Sequence, residues 1–67
     1  MRRKYRLESS HCVDGKQVNR VTRFLSKSED DAKSRYRTTL QRDSSIHEAA
    51  LFAVAGNRLL LEDVRYI

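Results

Sequence analysis

The stretch VDGKQV, residues 13–18, joins two segments in which apolar and polar residues alternate. Asp14-Gly15 is a favoured pair for a two-residue hairpin turn, because both central residues of that turn need a positive φ angle. Before the turn, Tyr5 and Leu7 alternate with charged residues, and a period of two is typical of a strand with one buried face. The sequence therefore predicts an antiparallel β-hairpin with strands in residues 4–9 and 17–25.

One residue of the second strand does not fit its alternation. A strict period of two puts Val18, Thr22 and Phe24 on the buried face, together with Arg20. A β-bulge near Asn19 would turn Arg20 outward. Alternatively, Arg20 lies at a margin of the sheet, with its stem buried and its guanidinium in water. Both interpretations are open at this point.

After the hairpin the apolar period changes from two to four. Ala32, Tyr36 and Leu40 recur at every fourth position, which predicts a helix with a narrow apolar stripe. Acidic residues near its start and basic residues near its end suit the helix dipole. Two serine–acid pairs have the spacing of a capping box at the helix start, namely Ser26 with Glu29 and Ser28 with Asp31.

The segment from residue 44 to residue 55 fits two structures. Ser45 and Glu48 repeat the capping spacing, and an alanine-rich run follows, so we predict a second short helix over Ile46–Ala55. Gly56-Asn57 would end that helix. In the competing interpretation, Leu51–Ala55 is a strand that turns at Gly56-Asn57 into the next segment.

The last segment, Arg58–Ile67, is rich in leucine and β-branched residues and is predicted to be a strand. Its three consecutive leucines indicate burial on both faces, and hence a central position in the sheet. We expect this strand to pair with one of the hairpin strands.

Together these elements predict one small α+β domain over residues 1–67, with the order β-β-α-(α)-β. The hairpin and the C-terminal strand form one sheet, and a helix covers one face of that sheet. A chain of 67 residues can build only a thin core. A homodimer, which would bury more surface, is therefore expected.

Charge indicates the class of partner. The chain has 14 Lys and Arg residues against 9 Asp and Glu residues, a net charge of +5, and such proteins attract polyanions. If Tyr5 and Leu7 face the helix, the basic residues between them face the other way. The predicted binding surface is this uncovered face of the hairpin with its tip, and its candidate residues are Arg2, Lys4, Arg6, Lys16, Asn19 and Arg23.

The leading hypothesis is a small basic accessory protein that binds nucleic acid, or a nucleoprotein, through this face. The alternative is a protein-interaction module or inhibitor, of the kind encoded by phages and other mobile elements. It would dock the same basic face on an acidic protein surface. Charge alone does not separate the two, because both partners are polyanionic.

The N-terminal part of the chain is similar in outline to the small arm-type DNA-binding domains at the front of tyrosine recombinases. The features that carry the resemblance are Tyr5, Asp14-Gly15-Lys16, Phe24 and the predicted helix over Ser28–Leu40. It covers about the first forty residues. It implies a DNA partner for the hairpin. Residues 44–67 depart from that outline.

No catalytic residues, cofactor or metal are predicted, and we do not expect an enzyme. His11 and Cys12 are adjacent, but a zinc site needs about four ligands at characteristic spacings, and only His47 and Asp14 could join them. A single cysteine cannot form an intramolecular disulfide. No apolar run is long enough to span a membrane or to act as a signal peptide, so a cytoplasmic protein with no membrane partner is expected.

Overall fold

The computed structural model describes residues 1–65. In chain order the elements are strands β1 (Arg3–Val13) and β2 (Lys16–Ser26), helix α1 (Glu29–Arg42), strand β3 (Ile46–Ala53), a 3-10 turn at Ala55–Asn57 and strand β4 (Arg58–Val64). The strands form one antiparallel sheet in the order β2-β1-β3-β4, and α1 packs on one face of it. The predicted α+β fold, with a hairpin and a C-terminal strand in one helix-covered sheet, is confirmed.

The β1–β2 hairpin forms as predicted. Asp14 and Gly15 have φ angles of 51° and 75°, as their two-residue turn requires. The register runs without a shift from the pair Val13–Lys16 to the pair Arg3–Ser26. The prediction of a bulge near Asn19, which would have turned Arg20 outward, is therefore wrong. Arg20 lies on the helix side of the sheet and stays exposed, because β2 is an edge strand.

Helix α1 confirms the apolar stripe and resolves the choice of cap. Ser28 is the N-cap, and its hydroxyl accepts a hydrogen bond from the Asp31 N–H at 3.1 Å. Ser26 instead donates to the Asp31 carboxylate at 2.6 Å, which fastens the end of β2 to the first turn of the helix. Tyr36 is fully buried, whereas Leu40 is only half-buried.

The prediction of a second helix over Ile46–Ala55 is wrong. The competing interpretation, a strand over Leu51–Ala55, is confirmed in part, because β3 begins at Ile46 and ends at Ala53, before the 3-10 turn. Strand β3 buries Ala49, Leu51 and Ala53 at alternate positions. Alanine has a high helix propensity, and pairing with β1 overrides that propensity here. Ser45 does not cap a helix, because strand β3 follows it. Its hydroxyl instead donates to the Asp43 carboxylate at 2.6 Å.

The position predicted for the last strand is also wrong. Strand β4 pairs with β3 and not with the hairpin, and it forms an edge of the sheet rather than its centre. Leu60 has no partner between the pairs Leu51–Leu61 and Phe52–Leu59, so a bulge explains the leucine run. The bulge lets Leu60 and Leu61 pack on the core while Leu59 stays exposed. Tyr66 and Ile67, the predicted end of this strand, lie outside the described residues.

The core lies entirely between α1 and the sheet. Tyr36 anchors the helix, because its hydroxyl donates to the Asp63 carboxylate at 2.7 Å and lies 3.1 Å from the carbonyl oxygen of Ala49. At the edge of the core the rings of Tyr5 and Phe24 stack, with centroids 5.9 Å apart. The buried apolar residues are Tyr5, Leu7, Ala32, Tyr36, Ile46, Ala49, Leu51 and Ala53. This one-sided core leaves the opposite face of the sheet uncovered by any described element.

Candidate functional site

The uncovered side of the sheet is the candidate interaction surface, and we call it the open face. Because side chains alternate along a strand, the open face collects every second residue of each strand. Its members are Lys4, Arg6, Glu8, Ser10 and Cys12 of β1; Gln17, Asn19, Val21, Arg23 and Leu25 of β2; Glu48, Ala50 and Phe52 of β3; and Leu59, Glu62 and Val64 of β4.

Three cations occupy one end of the open face, which we call the basic end: Lys4, Arg6 and Arg23. Arg6 and Arg23 are direct cross-strand partners, and like charges in that position destabilise a sheet. Lys4 and Arg23 form no ion pair with any of residues 1–65. Arg2 precedes β1 and is exposed next to this end.

The guanidinium of Arg6 is held in a defined position. Its Nε donates to the Glu8 carboxylate at 2.6 Å, and its Nη2 donates to the side-chain oxygen of Asn57 at 2.7 Å. The guanidinium carbon also lies 4.4 Å from the centroid of the Phe52 ring, a cation–π contact. Arg6 is therefore an oriented group, whereas Lys4 and Arg23 are free to adapt to a ligand.

The other half of the open face is polar and acidic. Glu48 and Glu62 are exposed there, and Glu8 lies level with Glu62 in the sheet, because both are in register with Ala50. Ser10 donates to the side-chain oxygen of Asn19 at 2.8 Å, at the margin of a depression of about 310 Å³. Carboxylates at this spacing repel phosphate, so a nucleic acid would contact the basic end and avoid this half.

Apolar side chains also contribute to the open face. Val21 and Leu25 flank Arg23 on β2, with 51% and 49% of their surface exposed. On β4, Leu59 and Val64 are 48% and 58% exposed. Large exposed apolar residues gathered on one face are a common feature of protein-binding surfaces.

The structure brings together four of the six candidate residues and separates the other two. Arg2, Lys4, Arg6 and Arg23 lie at or beside the basic end. Lys16 lies at the hairpin tip, about 30 Å away from Lys4, since nine residues of strand separate it from the partner of Lys4. Asn19 belongs to the polar half, and its side-chain oxygen accepts from both Ser10 and Gln17.

The contribution of β3 to the open face was not predicted from the sequence. Phe52, which holds Arg6, and Glu48, which adds negative charge, both lie in the segment predicted to be a helix. The alternation of Ala49, Leu51 and Ala53 was the signal that could have found them, but small alanines make such a period hard to detect.

A second, smaller feature lies on the helix side, where a cleft of about 280 Å³ separates α1 from β2. His11, on its floor, is 4% exposed and bonded through both ring nitrogens. Ser45 gives its hydroxyl proton to Asp43, so at 3.0 Å it accepts from His11 Nδ1. In the neutral ring, Nε2 then accepts from Ser9 Oγ at 2.8 Å.

These bonds satisfy a buried histidine, and we interpret the network as stabilising the junction of β1 and β3. The hydroxyl and the N–H of Ser45 both donate to Asp43 and hold the pKa of this carboxyl below its usual range. Cys12 is exposed on the other side of β1 from His11, so the two do not share a site. Among residues 1–65, no three metal-ligating side chains converge.

Comparison with known proteins adds no assignment to this geometry. No protein-family model matches the chain, and neither a curated protein nor a solved structure matches it significantly. Within the part of the chain that the structure describes, no helix has the length and apolar character needed to cross a membrane.

Proposed function

We propose that the protein is a small non-enzymatic accessory protein that binds nucleic acid through the basic end of its open face. The observation that carries this proposal is the direct pairing of Arg6 with Arg23, with Lys4 two residues away on the same face of β1. Two adjacent guanidiniums repel each other, and the Glu8 carboxylate, which is paired with Arg6, offsets only part of this repulsion, because Arg23 has no ion pair within residues 1–65. A phosphate bound between them would remove that repulsion and release counterions.

The spacing of the three cations suits a phosphate backbone. Cross-strand side chains start about 5 Å apart, and Lys4 precedes Arg6 by two strand residues, or about 7 Å. The cations can therefore converge on one phosphate or contact two neighbouring ones. Because Arg6 is already oriented by Glu8, Asn57 and Phe52, it loses little side-chain freedom on binding.

The carboxylates of the open face limit the proposed contact with nucleic acid to the basic end. Glu48 and Glu62 are about 7–13 Å along the strands from the Arg6–Arg23 pair. A binding site of three or four cations gives affinity that falls steeply with salt and depends little on base sequence. The proposal includes a reducing cytoplasm, which suits a protein whose single cysteine, Cys12, is exposed.

The test is the affinity for a generic DNA duplex and a generic single strand, measured by fluorescence anisotropy over a range of salt concentrations. Replacing Lys4 and Arg23 with alanine should weaken binding and reduce the slope of log affinity against log salt by about 0.9 per lost contact on duplex DNA. The melting temperature should change little, because both side chains are exposed and form no ion pair within residues 1–65.

The matched control is the pair Lys33→Ala and Arg37→Ala on α1, which removes the same charge from the other side of the molecule. If this pair reduces the salt slope as much as the strand pair does, binding is diffuse and not centred on the basic end. If the wild-type protein binds neither probe at low salt, the nucleic-acid proposal is wrong.

The second candidate is a protein-docking module, for example an inhibitor of the kind that mobile elements encode. Four exposed apolar residues on the open face favour it: Val21, Leu25, Leu59 and Val64. A protein partner would use these residues together with both signs of charge. Binding of this kind should depend weakly on salt, should not be displaced by duplex DNA and should be lost on Leu59→Ser, which leaves phosphate contacts intact.

A further inference from the structure

Strand β2 is unusually exposed for an 11-residue strand. Residues 16–23 are all exposed, because α1 packs over the middle of the sheet and leaves both faces of β2 open along most of its length. Val18 on the helix side is 39% exposed, and Val21 on the open face is 51% exposed. Within residues 1–65, β1 is the only strand that pairs with β2, and α1 contacts the end of β2 at Phe24, Leu25 and Ser26.

The two edges of the sheet are protected to different degrees. Strand β4 is short, carries the bulge at Leu60 and places Glu62 next to Asp63, and such features discourage pairing with another strand. Strand β2 is longer, keeps a regular register with β1 and contains no proline. Its cations are the main feature that could keep a second strand away.

The outer edge of β2 offers a regular row of backbone groups. The two-residue turn closes on the hydrogen-bonded pair Val13–Lys16, so the odd-numbered residues of β2 direct their N–H and C=O groups away from β1. In agreement, Arg35 donates from α1 to the outward carbonyl of Leu25 at 3.1 Å. No backbone or side-chain bond within residues 1–65 reaches the outward groups of Asn19, Val21 or Arg23.

We infer that this edge pairs with the same edge of a second copy, so that two sheets join into one antiparallel sheet of eight strands. A two-fold axis at Val21 is the arrangement in which all eleven residues of β2 find partners. It also matches the outward groups, because Val21 then exchanges both hydrogen bonds with Val21 of the second copy. The Leu25 carbonyl, which already accepts from Arg35, then accepts a second hydrogen bond through its other lone pair.

Side chains are complementary in this register. Each cation of β2 faces an uncharged residue of the second copy, and the two apolar residues on the helix side face each other. The pairs are Lys16 with Ser26, Gln17 with Leu25, Val18 with Phe24, Asn19 with Arg23, and Arg20 with Thr22, each formed twice. A β-branched residue opposite an aromatic residue is a favourable cross-strand pair.

Other registers either place like charges opposite each other or leave residues at the ends of β2 without partners. An axis at Arg20 would place Arg20 directly opposite Arg20 of the second copy, which is destabilising. In the register centred on Val21 these two guanidiniums are diagonal neighbours. Within each copy, Arg20 is one of the groups that lower the pKa of the Asp43 carboxyl. Each Arg20 guanidinium therefore has a carboxylate of its own copy nearby.

The paired edge would merge the two open faces into one. Arg23 and Arg23 of the second copy would lie about 14 Å apart, on opposite sides of the axis. Two basic ends would then act together on one ligand, with the gain in affinity that a second linked site provides. Dimerisation through β2 does not depend on what the open face binds.

The experiment compares Val21→Lys with Val64→Lys by sedimentation equilibrium, with circular dichroism to verify folding. Val21→Lys puts two ammonium groups opposite each other at the axis and should convert a wild-type dimer into a folded monomer. Val64→Lys makes the same change at a similarly exposed site on the same face, but on β4, and should remain a dimer.

Cross-linking keeps the test decisive if Val21→Lys fails to fold. With Cys12 replaced by serine, a Val21→Cys variant should form an intermolecular disulfide under mild oxidation, whereas Val64→Cys should not. A wild-type protein that is monomeric at NMR concentrations would overturn the inference. So would a dimer that survives Val21→Lys, or cross-linking that is no faster through Val21→Cys than through Val64→Cys.

Discussion

Tyr36 is the residue through which the helix is joined to the sheet. Its ring is fully buried, and its hydroxyl is bonded to Asp63 of β4 beside the carbonyl of Ala49 on β3. Burial, together with the hydrogen bond and the negative charge of Asp63, raises the pKa of Tyr36 well above its usual value of 10.0. The folded protein therefore strongly favours the protonated phenol.

Tyr36→Phe should destabilise the protein by about 1–2 kcal/mol at neutral pH, since it keeps the ring and removes the hydroxyl bonds. A folded-state pKa above the unfolded one contributes stability that is complete below pH about 10 and is lost as the pH rises further. The difference in melting temperature between the wild type and Tyr36→Phe should therefore shrink as the pH is raised above 10. A difference that stays constant up to pH about 12 would contradict this assignment.

Helix α1 and strand β3 contribute unequally to the core. The helix supplies Ala32 and Tyr36 as fully buried residues, whereas Leu40 is only half-buried near its end. Leu51, in the middle of β3, is fully buried and lies directly opposite Leu7 of β1. The strand that was hardest to recognise in the sequence therefore provides the centre of the core.

Two leucine substitutions measure this difference. Leu51→Ala should cost about 2–5 kcal/mol, which can unfold a domain whose total stability is only about 3–5 kcal/mol. Leu40→Ala should cost less, about 1–2 kcal/mol, because its side chain already contacts solvent. Urea denaturation of both variants gives the comparison. Equal losses, or a larger loss for Leu40→Ala, would mean that the helix stripe contributes more to the core than its burial indicates.

At the scale of the whole molecule, the excess positive charge is not spread evenly. The open face has three cations at one end and exposed Glu48 and Glu62 towards the other. The sign of its charge therefore changes along the strands. These carboxylates lie about one Debye length from the Arg6–Arg23 pair at physiological salt, so they should oppose phosphate binding mainly at low salt.

Neutralising the acidic half should therefore strengthen binding to nucleic acid. Glu48→Gln combined with Glu62→Gln is expected to raise the affinity for a generic duplex a few-fold at low salt, and the gain should shrink at high salt. The control is Asp30→Asn, an exposed carboxylate on α1, away from the open face. Equal gains in both variants would show that only net charge matters. No gain from Glu48→Gln with Glu62→Gln would place the bound phosphates elsewhere.

The sequence by itself determined the local parts of this fold. These parts are the Asp14-Gly15 turn, the alternation of β1 and the apolar stripe of α1. They depend on backbone preference and on residues close in the chain, so they could be predicted from the sequence. The outward direction of Lys4 and Arg6 followed from that alternation. The α+β class and the one-sided cover of the sheet followed from the same elements.

The tertiary structure decided how the second half of the chain is arranged. The alanine-rich segment of β3 suits a helix when considered alone, and it becomes a strand because β1 offers a ladder of hydrogen bonds and a core in which Leu51 is buried. That choice brings Phe52 beneath Arg6 and sets Glu48 and Glu62 on the same face as the cations. Pairing between distant segments depends on contacts that no local period records, so the mixed charge of the open face emerges only in the folded sheet.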